Sequence, residues 1–135
     1  MPFKVVLPED LEWETRPHRP GEPARYVAEL SDALNTRHVR ANIWRYEPGA
    51  CGKRHRHAGQ DETFVVLAGS LTMYLGEPPE RVEVPTGGVI TVAGGTELQS
   101  ANHGKEDLVV YAYGYPPDEG AEVLDSVPSL ADPSA

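Results

Sequence analysis

His55, His57 and Glu62 are the residues whose types and spacing point most directly to chemistry. In an extended strand, side chains alternate between faces, so positions 55 and 57 of His55-Arg56-His57 point the same way, about 6.6 Å apart, and Arg56 points the other way. Ala58 to Asp61 read as a turn, and Glu62 begins the next strand. If that turn closes a hairpin, Glu62 faces the two histidines. Two imidazoles and a carboxylate converging on one point suit a divalent cation: iron, manganese, nickel, zinc or copper, with positions left open for water and substrate. The competing reading is a hydrogen-bonded polar network inside a wet barrel. An isolated His-x-His pair does not separate the two.

The elements that must position these residues are short strands. Thirteen glycines and thirteen prolines punctuate 135 residues, and the segments between them are rich in Val, Tyr, Ile and Thr. Strands are predicted at 26–30, 37–46, 53–57, 62–67, 70–75, 80–84, 89–93, 97–102 and 107–114. Nine short strands at this spacing predict an all-β, two-sheet jelly-roll barrel, as one domain. Residues 1–25 read as an N-terminal arm, 26–115 as the barrel, and 116–135 as an acidic, proline-rich tail whose last ten or so residues are mobile. Phe64 and Val66 share the parity of Glu62 and are expected to line the pocket below it. Trp44 and Tyr46 share a parity on the strand before Gly49, and one of them, with Tyr46 a candidate, is expected to wall the cavity.

Charge and composition narrow the function classes. The net charge is −9, which argues against nucleic-acid and anionic-membrane partners. The apolar runs are far shorter than the ~18 residues of a membrane span, and no secretory signal is read at the start, so a cytoplasmic protein is expected. The lone Cys51 fits a reducing compartment and reads as a small packed thiol. The basic run Lys53-Arg54-His55-Arg56-His57 reads as a solvated strand edge rather than an anion-binding patch. His18, His38 and His103 read as surface or core histidines rather than ligands.

The spacing around the histidines resembles a known family. Gly49, five residues, His55-x-His57, four residues, Glu62, six residues and Gly69 match the first motif of the cupins at every specified position. The second cupin motif is matched by Gly87, Gly95 and Asn102, but Ala93 stands in place of its proline and Leu98 in place of its histidine. The resemblance covers roughly residues 40–115. It implies the double-stranded β-helix fold of the small single-domain cupins and a metal held by His55, His57 and Glu62.

Leu98, in place of the fourth ligand, leaves three readings: a three-ligand site open to water or substrate, a strand shifted by a bulge to present Gln99 as a possible fourth ligand, or a metal-free barrel that binds an organic ligand. Leu98 itself is then a pocket residue. The resemblance further implies a metal-dependent enzyme, oxygenase- or isomerase-like, acting on a small organic molecule, with a non-catalytic small-molecule or sugar-binding module as the alternative. A homodimer is expected, because several strands are apolar at both parities, such as Phe64 and Val66 against Val65 and Leu67. The resemblance names the arm as the piece exchanged between partners.

Overall fold

A computed structural model describes residues 2–117, 120–131 and 133. Its strands are β1 (Glu14–Thr15), β2 (Arg25–Glu29), β3 (Arg40–Tyr46), β4 (His55–His57), β5 (Asp61–Ala68), β6 (Ser70–Leu75), β7 (Glu80–Pro85), β8 (Val89–Val92), β9 (Leu98–Ala101), β10 (Leu108–Tyr115) and β11 (Ala121–Val123). A one-turn helix, α1 (Ser31–Leu34), joins β2 to β3. All nine predicted strands are present, with ends shifted by up to a few residues. The two-residue β1 and three-residue β11 are additional edge strands, too short to carry an alternation that sequence could reveal.

The strands form two antiparallel sheets, in the orders β1-β2-β3-β10-β5-β8 and β11-β4-β9-β6-β7. Their facing sides enclose a core that includes Phe64, Val66, Leu71, Met73, Leu98, Leu108 and Val110. Strand alternation explains the selection. On β5, β10 and β3, the inward row Phe64, Ala112 and Asn42 is followed by the row Val66, Val110 and Trp44. The even-numbered positions of all three strands therefore face the interior together.

Two crossings hold the site in place. β4 and β5 do not form a hairpin. β4 pairs with β9 and β11, whereas β5 pairs with β10 and β8 in the opposite sheet. The turn after His57 therefore carries the chain across the barrel, and Glu62 meets the histidines from the facing wall rather than from a neighbouring strand. At Gly69 the chain crosses again, with φ of +74°, and a Cβ there would sit 2.6 Å from the Asp107 carbonyl oxygen. Both the left-handed backbone and the close approach demand glycine.

The arm contributes an edge strand: β1 pairs with β2, and β2 with β3 of the same chain. The tail is docked. β11 pairs with β4, Leu124 N–H donates to the Arg54 carbonyl, and Val127 is buried against Tyr74 and Ala101. Val127 and Leu130 thus fix part of the segment read as mobile, through burial worth roughly 1.5 kcal/mol or more for the valine alone. Positions 132, 134 and 135 lie outside the described residues. Among the described residues, no helix is long and apolar enough to cross a membrane.

Candidate metal centre

His55, His57 and Glu62 converge as the sequence predicted, each offering one ligand atom, all within 4.8 Å of one another. Glu62 Oε1 lies 3.3 Å from His57 Nε2 and 3.7 Å from His55 Nε2. Two ligand atoms about 2.1 Å from a common ion, at 90–110°, lie roughly 3.0–3.4 Å apart, so these separations are close to the edges of a coordination sphere. The two imidazoles stand edge to face, with centroids 5.0 Å apart.

Hydrogen bonding fixes the direction of the donor set. His55 Nδ1 is 2.9 Å from the Lys53 carbonyl oxygen, which can only accept, so Nδ1 carries the proton. In the neutral ring, Nε2 then turns its lone pair toward Glu62, the arrangement in which a backbone acceptor orients a ligating histidine. Glu62 Oε1 and His57 Nδ1 are buried and have no hydrogen-bond partner. An orphaned carboxylate oxygen facing imidazole nitrogens is what a cation would satisfy, and a mixed nitrogen and oxygen donor set suits a first-row divalent ion. The residues fit the metal.

Burial pushes the Glu62 carboxyl upward, but the adjacent His55 and His57 imidazoles outweigh it and hold the group at about 2, against an ordinary 4.5. Burial works against protonating His55, yet Glu62 and the Lys53 carbonyl raise its pKa above the ordinary 6.5, while the charge of Arg25 opposes them. The carboxylate is therefore ionised across the physiological range.

The cluster opens onto a cavity of about 400 Å³, the size of a small-molecule site. Phe64, Leu98, Tyr46 and Trp44 line it, Trp44 edge to face with Tyr46 at 6.0 Å. Val66 does not reach the cavity; it packs in the core below. Leu98 is 3% exposed and pairs in register with His55, so the position of the missing fourth ligand faces the cluster.

Gln99 points the other way. Its Nε2 donates to Gly52 O and Ser126 Oγ, and its Oε1 accepts from Val127 N–H, so its amide anchors the tail. No bulge rotates it inward. His103 bonds the Tyr74 hydroxyl, and His18 and His38 are exposed.

The basic run divides by parity. Arg54 is buried and bonds Glu77 Oε2 and Gly76 O, and Arg56 pairs with Glu122 and Glu97, while Lys53 faces the cavity. Only part of the run is the solvated edge expected from its charge. Sequence reasoning also missed Arg16, Arg25 and Arg40 on the cavity wall. β2 is apolar at Tyr26, Val27 and Ala28 together, so no alternation marked the face to which Arg25 belongs.

The family model for the cupin domain matches residues 42–113. Comparison with curated protein sequences gives no match. A predicted oxalate decarboxylase from Thermotoga maritima is similar at TM-score 0.72 and 21% identity, covering 84% of this chain and 99% of that one. A sugar phosphate isomerase of the cupin superfamily from Silicibacter pomeroyi is similar at 0.69 and 22%, covering 84% and 76%. An uncharacterised protein with a double-stranded β-helix domain from Klebsiella pneumoniae is similar at 0.67 and 22%, covering 82% and 90%. At these identities the likeness is one of fold.

The placement of Leu98 yields a test. Leu98→His adds a fourth nitrogen opposite His55 and should tighten metal binding about tenfold or more, near 1.4 kcal/mol, in chelator competition. Unchanged or weaker affinity would contradict a position beside the ion.

Proposed function

The chain belongs to the cupin domain family, and we propose that it is a metal-dependent enzyme acting on a small organic molecule. The observation that carries this reading is the convergence of His55, His57 and Glu62, with an unsatisfied buried carboxylate oxygen, at the wall of an accessible cavity. In this reading His55 and His57 bind a first-row divalent ion as neutral imidazoles, and Glu62 binds it as a carboxylate. The ion supplies Lewis acidity or a site for dioxygen, which suits isomerase- or oxygenase-like chemistry. The Lys53 carbonyl keeps the His55 proton on Nδ1 and so leaves Nε2 for the ion. Phe64, Leu98 and Trp44 give the same space an apolar wall. Solved structures of the same fold carry the names oxalate decarboxylase and sugar phosphate isomerase, which supports small, oxygen-rich substrates.

A second reading is favoured by Leu98 alone. With an isobutyl group in the fourth-ligand position, the barrel serves as a non-catalytic module that binds a metabolite or sugar. Metal content separates the two. Protein purified without a histidine tag or chelator should carry a first-row divalent metal at more than about half occupancy, and His57→Ala should lose most of it. Equal, negligible metal in both proteins, with none taken up on soaking, would leave only the second reading.

The reading includes a two-fold dimer. The outer face of the six-stranded sheet carries a continuous cross-strand row of Ile43, Tyr111, Val65 and Val89, with Leu67 and Val89 at least half exposed. Contiguous apolar surface of this kind is uncommon on monomers, and a self-complementary pairing of the face covers it. Light scattering at micromolar concentration should give about twice the 14.7 kDa chain mass. A mass equal to one chain would rule this pairing out.

A further inference from the structure

The charges on the cavity wall run against those of the chain. With 21 acidic and 12 basic residues, carboxylates are abundant enough to neutralise every cation. Five arginines, Arg19, Arg45, Arg54, Arg56 and Arg81, each pair with a glutamate or aspartate. Arg16, Arg25 and Lys53 line the cavity, and among the described residues no carboxylate lies within ion-pairing distance of any of the three.

Arg16 and Arg25 are also forced together. Arg16 N–H donates to the Arg25 carbonyl at 2.9 Å, continuing the ladder in which Thr15 opposes Tyr26. The two guanidinium groups gather around a single indole, 5.7 and 5.6 Å from the Trp44 centroid, and Arg25 also lies 5.9 Å from the Tyr46 centroid. Like charges on opposed residues of a strand pair destabilise the sheet, and stacking on an aromatic face offsets only part of that cost. A fold that places acids beside five arginines and none beside these two leaves a positive site with an unfilled requirement for anionic oxygen. Guanidinium groups, with their forked donors, meet that requirement with carboxylate or phosphate.

We propose that Arg16 and Arg25, with Lys53, bind the carboxylate or phosphate group of a small organic anion within the cavity, leaving the rest of that molecule to reach the His55, His57 and Glu62 cluster. The last clause rests on the metal-dependent reading above; the anion site itself does not. Gly52 lines the cavity beside this pair, where a Cβ would sit 2.8 Å from the Tyr46 hydroxyl and 2.9 Å from Ser100 Oγ, so only glycine fits against that hydrogen-bonded contact.

Isothermal titration on the full chain tests the proposal, using succinate and glucose 6-phosphate as charged probes and succinamide and glucose as their neutral counterparts. Each is titrated into metal-loaded wild type, chelator-treated wild type and His57→Ala. At least one charged probe should bind wild type with a Kd below about 10 mM, more weakly as ionic strength rises, while its neutral counterpart does not bind. Which probe binds assigns the group as carboxylate or phosphate. Arg25→Gln and Arg16→Gln should each weaken that binding about tenfold, and Arg81→Gln, on an exposed and paired arginine, should not change it. Circular dichroism checks that the variants are folded, and either cavity variant suffices if the other is not. Anion binding that survives in His57→Ala but is lost in Arg25→Gln upholds the site even if the metal reading fails. A metal-loaded protein that binds neither charged probe, or binds one equally well in wild type and both cavity variants, overturns the anion site and leaves the metal reading intact.

Discussion

A carboxylate oxygen taken out of water and given no donor costs stability unless positive charge compensates it. Glu62 Oε1 is such an atom, and the barrel is arranged around it. The oxygen is buried because β5 runs through the middle of one sheet, between β10 and β8, with its even-numbered positions turned inward. The compensating nitrogens come from the opposite sheet, where β4 offers only three residues and two of them are histidines. The turn that joins β4 to β5 spans the gap between sheets, and the tail strand β11 completes the pairing of β4 on its outer edge. A displacement of either wall would separate Oε1 from Nε2, so the docking of the tail through Gln99 and Val127 bears on the site from the far side of the same sheet.

Much of this was legible in the sequence, for a simple physical reason. Strand alternation has a period of two, so the common direction of His55 and His57, and of Glu62 with Phe64, follows once strands are assigned. What alternation does not carry is the partner of each strand. The same convergence arises from a hairpin or from two facing sheets, and the short turn suggested the first where the fold has the second. Gln99 shows a similar limit. One residue of shift would exchange it with Leu98, and only its bonds to Gly52, Ser126 and Val127, two of them in the tail read as mobile, fix the register. Val66 shares the parity of Phe64 but lies one step deeper, and depth along a barrel is not a property of parity. The cavity arginines were hidden because β1 is two residues long and β2 is apolar on both faces.

The site therefore has two electrostatic halves. One is a compact donor set of low proton affinity at Glu62, suited to a small, highly charged cation. The other is a pair of guanidinium groups held against Trp44, suited to a larger and more diffuse anion. They share a cavity of about 400 Å³, so an ion on the first half and an anionic group on the second would each strengthen the field at the other. Leu98 sits between these roles: it withholds a fourth protein ligand, and it keeps apolar surface beside the position left open.

The most direct test of the account is anomalous diffraction from metal-soaked crystals, recorded on either side of the absorption edge of the metal used. One peak per chain is expected, within about 2.0–2.3 Å of His55 Nε2, His57 Nε2 and a Glu62 carboxylate oxygen, with no ligand contributed by Gln99. A peak held by other residues, or an empty cluster in crystals whose solvent contains the metal, would contradict it.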